Sequence, residues 1–217
     1  MLGGLSHLRS LWHAHPLPAK RVLVINGHPD PGPARYCATL CAAYAEGAQS
    51  SGCKTQRLDV GAMTVPGAES GHPSWLHNEA AEVVERIWKA DRLFIAFPMW
   101  LGGPPPALQF ILEEFTRWQN REAEQTGEQV EAKVTHIVVT ASFPSLFYRA
   151  RHDAPAGAWA ASLAGLRITE AILIGSMESI SLEDRKRWLI EVRRLGSTLL
   201  GCVPRKAALL CSRHSSA

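Results

Sequence analysis

The heptapeptide Arg92–Pro98, RLFIAFP, holds five apolar residues in unbroken succession. A strand with one wet face alternates apolar and polar residues, whereas an unbroken run needs cover on both faces. Sheets covered on both faces draw their helices from the crossovers between parallel strands, so this run points to an α/β fold. Apolar β-rich runs recur at Val22–Asn26, in VTHIVVTA (134–141) and in TEAILIG (169–175), and Thr55–Val60 reads as a further, less apolar strand. Between them lie stretches of helical period. Cys37, Leu40, Cys41, Tyr44 and Ala48 share one face, as do Ala80, Val83, Val84 and Ile87. Leu108, Ile111, Leu112 and Phe115 form a third stripe. Trp188, Val192, Leu195 and Leu199 form a fourth, opened by Ser181 with Asp184 three residues on. The polar run Asn120–Lys133 reads as a solvated connection. The pattern predicts one open five-stranded parallel sheet with helices on both faces, and places the less apolar second strand near an edge. Strand orders 2-1-3-4-5 and 3-2-1-4-5 both fit.

Composition narrows the function classes. A balance of 23 basic against 20 acidic residues argues against a nucleic-acid binder, and no apolar run is long enough to span a membrane. Five cysteines, an odd number, make no disulfide framework and point to a reducing, cytoplasmic compartment. Cys37 and Cys41, one helical turn apart, could pair or bind metal, but read better as small residues on a core face. His7, His13 and His15 match the spacing of no closed zinc site, so no metal site is expected. Residues 1–19 read as a tail that packs on a partner, 20–201 as the single domain and 202–217 as a second tail.

In such sheets the ligand lies beyond the carboxyl ends of the strands. The first of these loops, GHPDPGPAR (27–35), lacks G-x-G-x-x-G and has no Walker Lys-Ser/Thr. It offers backbone N–H groups near Ala34 and Arg35 at a helix start, with His28 and Arg35 as potential cations, which suits a single phosphate. The third loop, PMWLGGPPPALQ (98–109), is apolar and aromatic, and Gly102 and Gly103 let a planar ring approach the backbone. The fourth, TASFPSLFYRARH (140–152), adds Phe143, Phe147 and Tyr148 beside Arg149, Arg151 and His152. A phosphate grip joined to a broad apolar slot describes flavin mononucleotide, or the flavin half of FAD.

Three segments, VLVINGHPDP, FPMWLGGPPPALQFILEEF and VVTASFPSLFYR, resemble the flavodoxin-like NAD(P)H:quinone oxidoreductases. The likeness runs from about Lys20 to Gly201 and rests most on the middle segment. It implies strand order 2-1-3-4-5 and a homodimer. It implies that His28 and the turn Pro33, Ala34, Arg35, Tyr36 contact the flavin phosphate, and that Pro98, Met99, Trp100, Leu101 and Gly102 line the ring edge. Thr140, Ala141, Ser142 and Phe143 would hold the pyrimidine side, with Tyr148 and His152 as catalytic proton-handling groups. The implied reaction passes hydride from NAD(P)H to a quinone or similar acceptor in two steps. FMN is favoured over FAD because the loop Gly61–Trp75 carries no obvious adenine clamp. The first loop departs from the family, having Gly32, Pro33 and Ala34 where relatives place hydroxyl residues, so Arg35 and main-chain donors must do more. Gln109 stands where many relatives have Lys. The alternative activity is that of a regulatory, ancillary flavin-binding subunit that docks to a partner protein. An electron-carrier flavodoxin fits less well, since those carriers are acidic around the flavin and this chain is mildly basic.

Overall fold

The computed structural model describes residues 20–63, 74–100, 103–142, 163 and 165–198. Five strands, β1 (Arg21–Asn26), β2 (Lys54–Asp59), β3 (Arg92–Pro98), β4 (Lys133–Thr140) and β5 (Leu166–Ile174), form one sheet. Every pairing is parallel and the order is β2-β1-β3-β4-β5, which decides between the two orders in favour of 2-1-3-4-5. The less apolar β2 is indeed at an edge. Among the described residues four helices pack on the sheet: α1 (Tyr36–Ser50), α2 (Ser74–Lys89), α3 (Pro106–Thr126) and α4 (Leu182–Ser197).

The period of two along each strand sorts the apolar residues into two cores. Leu23, Ile25, Leu93, Ile95, Phe97, Ile137 and Val139 face α2 and α3. Val22, Val24, Phe94, Ala96 and Val138 face α1 and α4. Phe94 and its neighbours are buried on both sides of the sheet, which is why RLFIAFP carries no alternation. The four helical stripes read from the sequence line these cores, although Leu199 lies outside the described residues. Cys37 and Cys41 are free, buried thiols in the α1 core face.

Two boundaries differ from the sequence reading. The polar run from Asn120 is not all connection: α3 continues to Thr126 and stops at Gly127, whose φ of 73° supplies the left-handed cap. Its last turns are solvent-facing but rich in good helix formers, so polarity there marked exposure and not a loop. The fifth strand begins at Leu166, and Thr169 is the extra residue of a bulge against Thr135 and His136.

Gly47 and Gly196 let α1 and α4 touch backbone to backbone. A Cβ on Gly47 would overlap the Arg193 carbonyl, and one on Gly196 would overlap that of Tyr44. This contact sets the height of α4 beside the first turn of α1, and so bears on the site above it. Among the described residues, no helix is long and apolar enough to cross a membrane. No group of three or more His, Cys, Asp or Glu among them could hold a metal ion.

Candidate cofactor site at the carboxyl end of the sheet

The loop from β1 to α1 is held by side chains acting at every second residue. Asn26 Oδ1 accepts from His28 N–H (3.2 Å), His28 Nδ1 from Asp30 N–H (2.9 Å), and Asp30 Oδ1 from Gly32 N–H (2.9 Å). Residues 29, 31 and 33 are prolines without a donor. The three prolines and the three bonds leave no backbone donor to spare between His28 and Pro33. Arg35 N–H turns back to Gly32 carbonyl (3.0 Å). Among the described residues the N–H groups of Ala34, Tyr36 and Cys37 donate to no backbone carbonyl, so the donor-rich end of the helix dipole lies at the first turn of α1.

Partial burial, helped by the nearby Arg35 charge, lowers the His28 pKa from 6.5. Because Nδ1 accepts a hydrogen bond from Asp30 N–H, the neutral ring carries its proton on Nε2, which is the donor it offers to the cavity. Arg35 is a cation, but its Nε is bonded to Asp30 Oδ2 at 2.6 Å.

Two further strand ends meet this loop. After β3, Met99 N–H donates to the Thr140 carbonyl (2.8 Å), and Trp100 and Gly103 exchange two backbone hydrogen bonds of 2.8 Å. That tight return leaves Trp100 49% exposed at the rim. After β4, Ala141 N–H reaches the Ile174 carbonyl (2.8 Å), and Cys37 Sγ lies 3.6 Å from Thr140 Oγ1. Burial pushes the Cys37 thiol up to about 11 and the Tyr36 phenol up to about 12, so both stay protonated.

A cavity of about 300 Å³ opens between these ends. Of the residues singled out in the sequence, it brings together His28, Ala34, Arg35, Tyr36, Pro98, Met99, Trp100, Thr140, Ala141 and Ser142. Pro33 sits in the adjoining loop and is not on the cavity wall. Leu101, Gly102, Phe143, Tyr148 and His152 lie outside the described residues. The cavity also has walls that sequence reasoning did not select: Cys37, Met177 and Arg185. Arg185 comes from the first turn of α4. Its guanidinium lies 5.3 Å from the Tyr36 ring centroid and donates to the Met177 carbonyl (2.8 Å), while Tyr36 Oη donates to the Arg185 carbonyl (2.8 Å). No spacing rule links residues so far apart in sequence; only their shared place at the strand ends does.

The arrangement is bipolar. One end offers Arg35, Arg185, the His28 Nε2–H and the first-turn N–H groups of α1. The other offers Pro98, Met99 and the indole of Trp100, with hydroxyls at Thr140 and Ser142. Such a cavity can hold a phosphorylated molecule with a flat apolar body. A larger cleft of about 880 Å³ lies elsewhere, between α2 and α3, walled by Trp88, Phe110 and Trp118. Among the described residues it shares no wall with the strand-end cavity.

Residues 20–184 match the family described as having a flavodoxin-like fold. Among solved structures, the chain is similar to the NAD(P)H:quinone oxidoreductase from Methanothermobacter marburgensis, at 17% identity and a TM-score of 0.60 over 85% of this chain and 99% of that one. It is similar to an FMN-dependent NADH-azoreductase from Bacillus anthracis in complex with FMN, at 12% identity and a TM-score of 0.61 over 84% and 100% of the two chains. A further azoreductase from Bacillus anthracis is 14% identical with a TM-score of 0.59 over 83% and 100%. At these identities the likeness is one of fold. A sequence comparison with curated proteins found no match.

Proposed function

The chain belongs to the family with the flavodoxin-like fold, and on that footing we propose that it is a flavin-dependent oxidoreductase that takes hydride from NAD(P)H and delivers it to a quinone or similar acceptor. The observation that carries this reading is the joining of a donor-rich, cationic end and an apolar, aromatic end in one strand-end cavity. The names of the similar structures, quinone oxidoreductase and azoreductase, point the same way.

The cofactor favoured is FMN, with its phosphate at the first turn of α1. Bound there, it would supply the two-electron chemistry, with NAD(P)H and the acceptor using the same face in turn. The protein's part is to grip, orient and shield. Ala34, Tyr36 and Cys37 N–H, the His28 Nε2–H, Arg35 and Arg185 hold the phosphate. Pro33 fixes the approach to the helix. Pro98, Met99 and Trp100, with Leu101 and Gly102 following, form the apolar edge. Thr140, Ala141, Ser142 and Phe143 hold the polar rim of the ring. Tyr148 and His152 take the proton-handling roles that the resemblance implies, and Tyr148→Phe should lower turnover about a hundredfold while sparing flavin affinity.

The proposal includes a homodimer, joined through the cleft between α2 and α3. That face sets Trp88 and Trp118, with ring centroids 5.0 Å apart, among Glu113, Glu114, Arg117 and Arg121. A face that carries both signs of charge can complement its own copy across a two-fold axis.

The deciding experiment is the visible absorption spectrum of the protein after incubation with FMN or FAD and desalting. Retained yellow FMN, bleached by NAD(P)H and restored by a quinone, is the expected result. A protein that retains neither flavin overturns the reading. A protein that keeps FMN without oxidising NAD(P)H would be an ancillary subunit instead.

A further inference from the structure

Relatives of this chain are expected to grip a phosphate with hydroxyl side chains where it has Gly32, Pro33 and Ala34, and the structure holds a different device at that place. Asp30 has both oxygens committed, Oδ1 to Gly32 N–H and Oδ2 to Arg35 Nε. Its own N–H is tied to His28 Nδ1. Among the described residues, Arg35 is bonded through its side chain at Nε alone, which leaves both Nη groups of a cavity-lining guanidinium available. An ion pair this exposed adds little to stability, so its value lies in geometry. A planar guanidinium anchored at Nε has its remaining fork pointed in one direction.

We propose that Asp30 is a positioning residue for the phosphate subsite: it holds Arg35 by Nε so that the two Nη groups replace the missing hydroxyls as bidentate donors to a phosphate monoester. The same carboxylate fixes the turn at Gly32, and the His28 ring accepts from the Asp30 backbone N–H, which holds the residue that carries the carboxylate. One run of bonds thus places both the imidazole and the cationic fork. This inference rests on the flavin reading given above, and it names how this chain in particular holds the phosphate.

The test compares FMN with riboflavin, which has the same ring and no phosphate, by flavin fluorescence quenching. Asp30→Asn keeps an oxygen to accept from Gly32 N–H but presents no anion to Arg35. Asp30→Asn and Arg35→Gln should each weaken FMN binding roughly ten- to a hundredfold, the range for loss of a charge-assisted hydrogen bond. Riboflavin affinity should stay the same in both. The double variant should bind FMN no worse than Arg35→Gln alone, because Asp30 acts through Arg35. Equal losses for riboflavin would show a merely structural role, and additive losses an independent one; either overturns the proposal. Tighter FMN binding by Asp30→Asn would show that the carboxylate opposes the phosphate, and overturns it too. Wild-type protein that binds FMN well with no loss in Asp30→Asn removes this inference alone, whereas wild-type protein that binds neither flavin removes the flavin reading beneath it.

Discussion

Two histidines show how little a residue's type says about its charge. His28 was legible as the tip of a ligand loop from its place after the first strand, but its tautomer was not, since that depends on Asp30 N–H meeting Nδ1. His136, mid-strand in β4, is buried against the Tyr44 hydroxyl at 2.9 Å. Burial first, and then the Arg92 charge, lower its pKa from 6.5 to about 4. The unfolded chain therefore binds a proton that the folded one refuses. Stability is full above about pH 6.5 and falls as the pH drops toward 4, by about 3 kcal/mol from this residue. Urea unfolding at pH 7 and pH 4.5 should show the difference, and His136→Gln should flatten it. Arg185 was not legible at all, because nothing local to SLEDRKRW marks that side chain as the one turned toward the sheet. If it grips the phosphate as proposed, Arg185→Gln should weaken FMN binding about tenfold or more and leave riboflavin binding unchanged.

The elements themselves were readable where physics is local. Continuous apolar runs named the strands because both sheet faces are covered, and the stripes at Cys37–Ala48 and Leu108–Phe115 named the buried helix faces. The Ser181 cap was equally plain, and its hydroxyl does accept from Asp184 N–H at 3.0 Å. Ser181→Ala should cost about 1 kcal/mol in a denaturant titration. What the pattern could not give was the length of α3, where Gly127 and not the loss of apolar residues marks the end. Nor could it give the glycines between α1 and α4, since two residues far apart carry no shared period. Gly47→Ala and Gly196→Ala should each destabilise by about 1–3 kcal/mol, because a Cβ there meets backbone that cannot swing away. The strand order followed only after the resemblance was weighed; apolar patterning left two orders open, as both bury the same faces.

For the molecule as a whole, the cleft between α2 and α3 supplies a test that leaves the cofactor site untouched. Ala81 lines it and is exposed. A two-fold contact through this face predicts that Ala81→Arg shifts sedimentation velocity from dimer toward monomer with little change in melting temperature, and an unchanged dimer would place the interface elsewhere. A different property follows from the bond between Tyr36 and Arg185, which are 149 residues apart. The cavity's two flanks come from segments far apart in the sequence, so a growing chain that has made α1 has only one of them until α4 follows. If a ligand is held by both flanks, its full grip waits until α4 has packed onto α1.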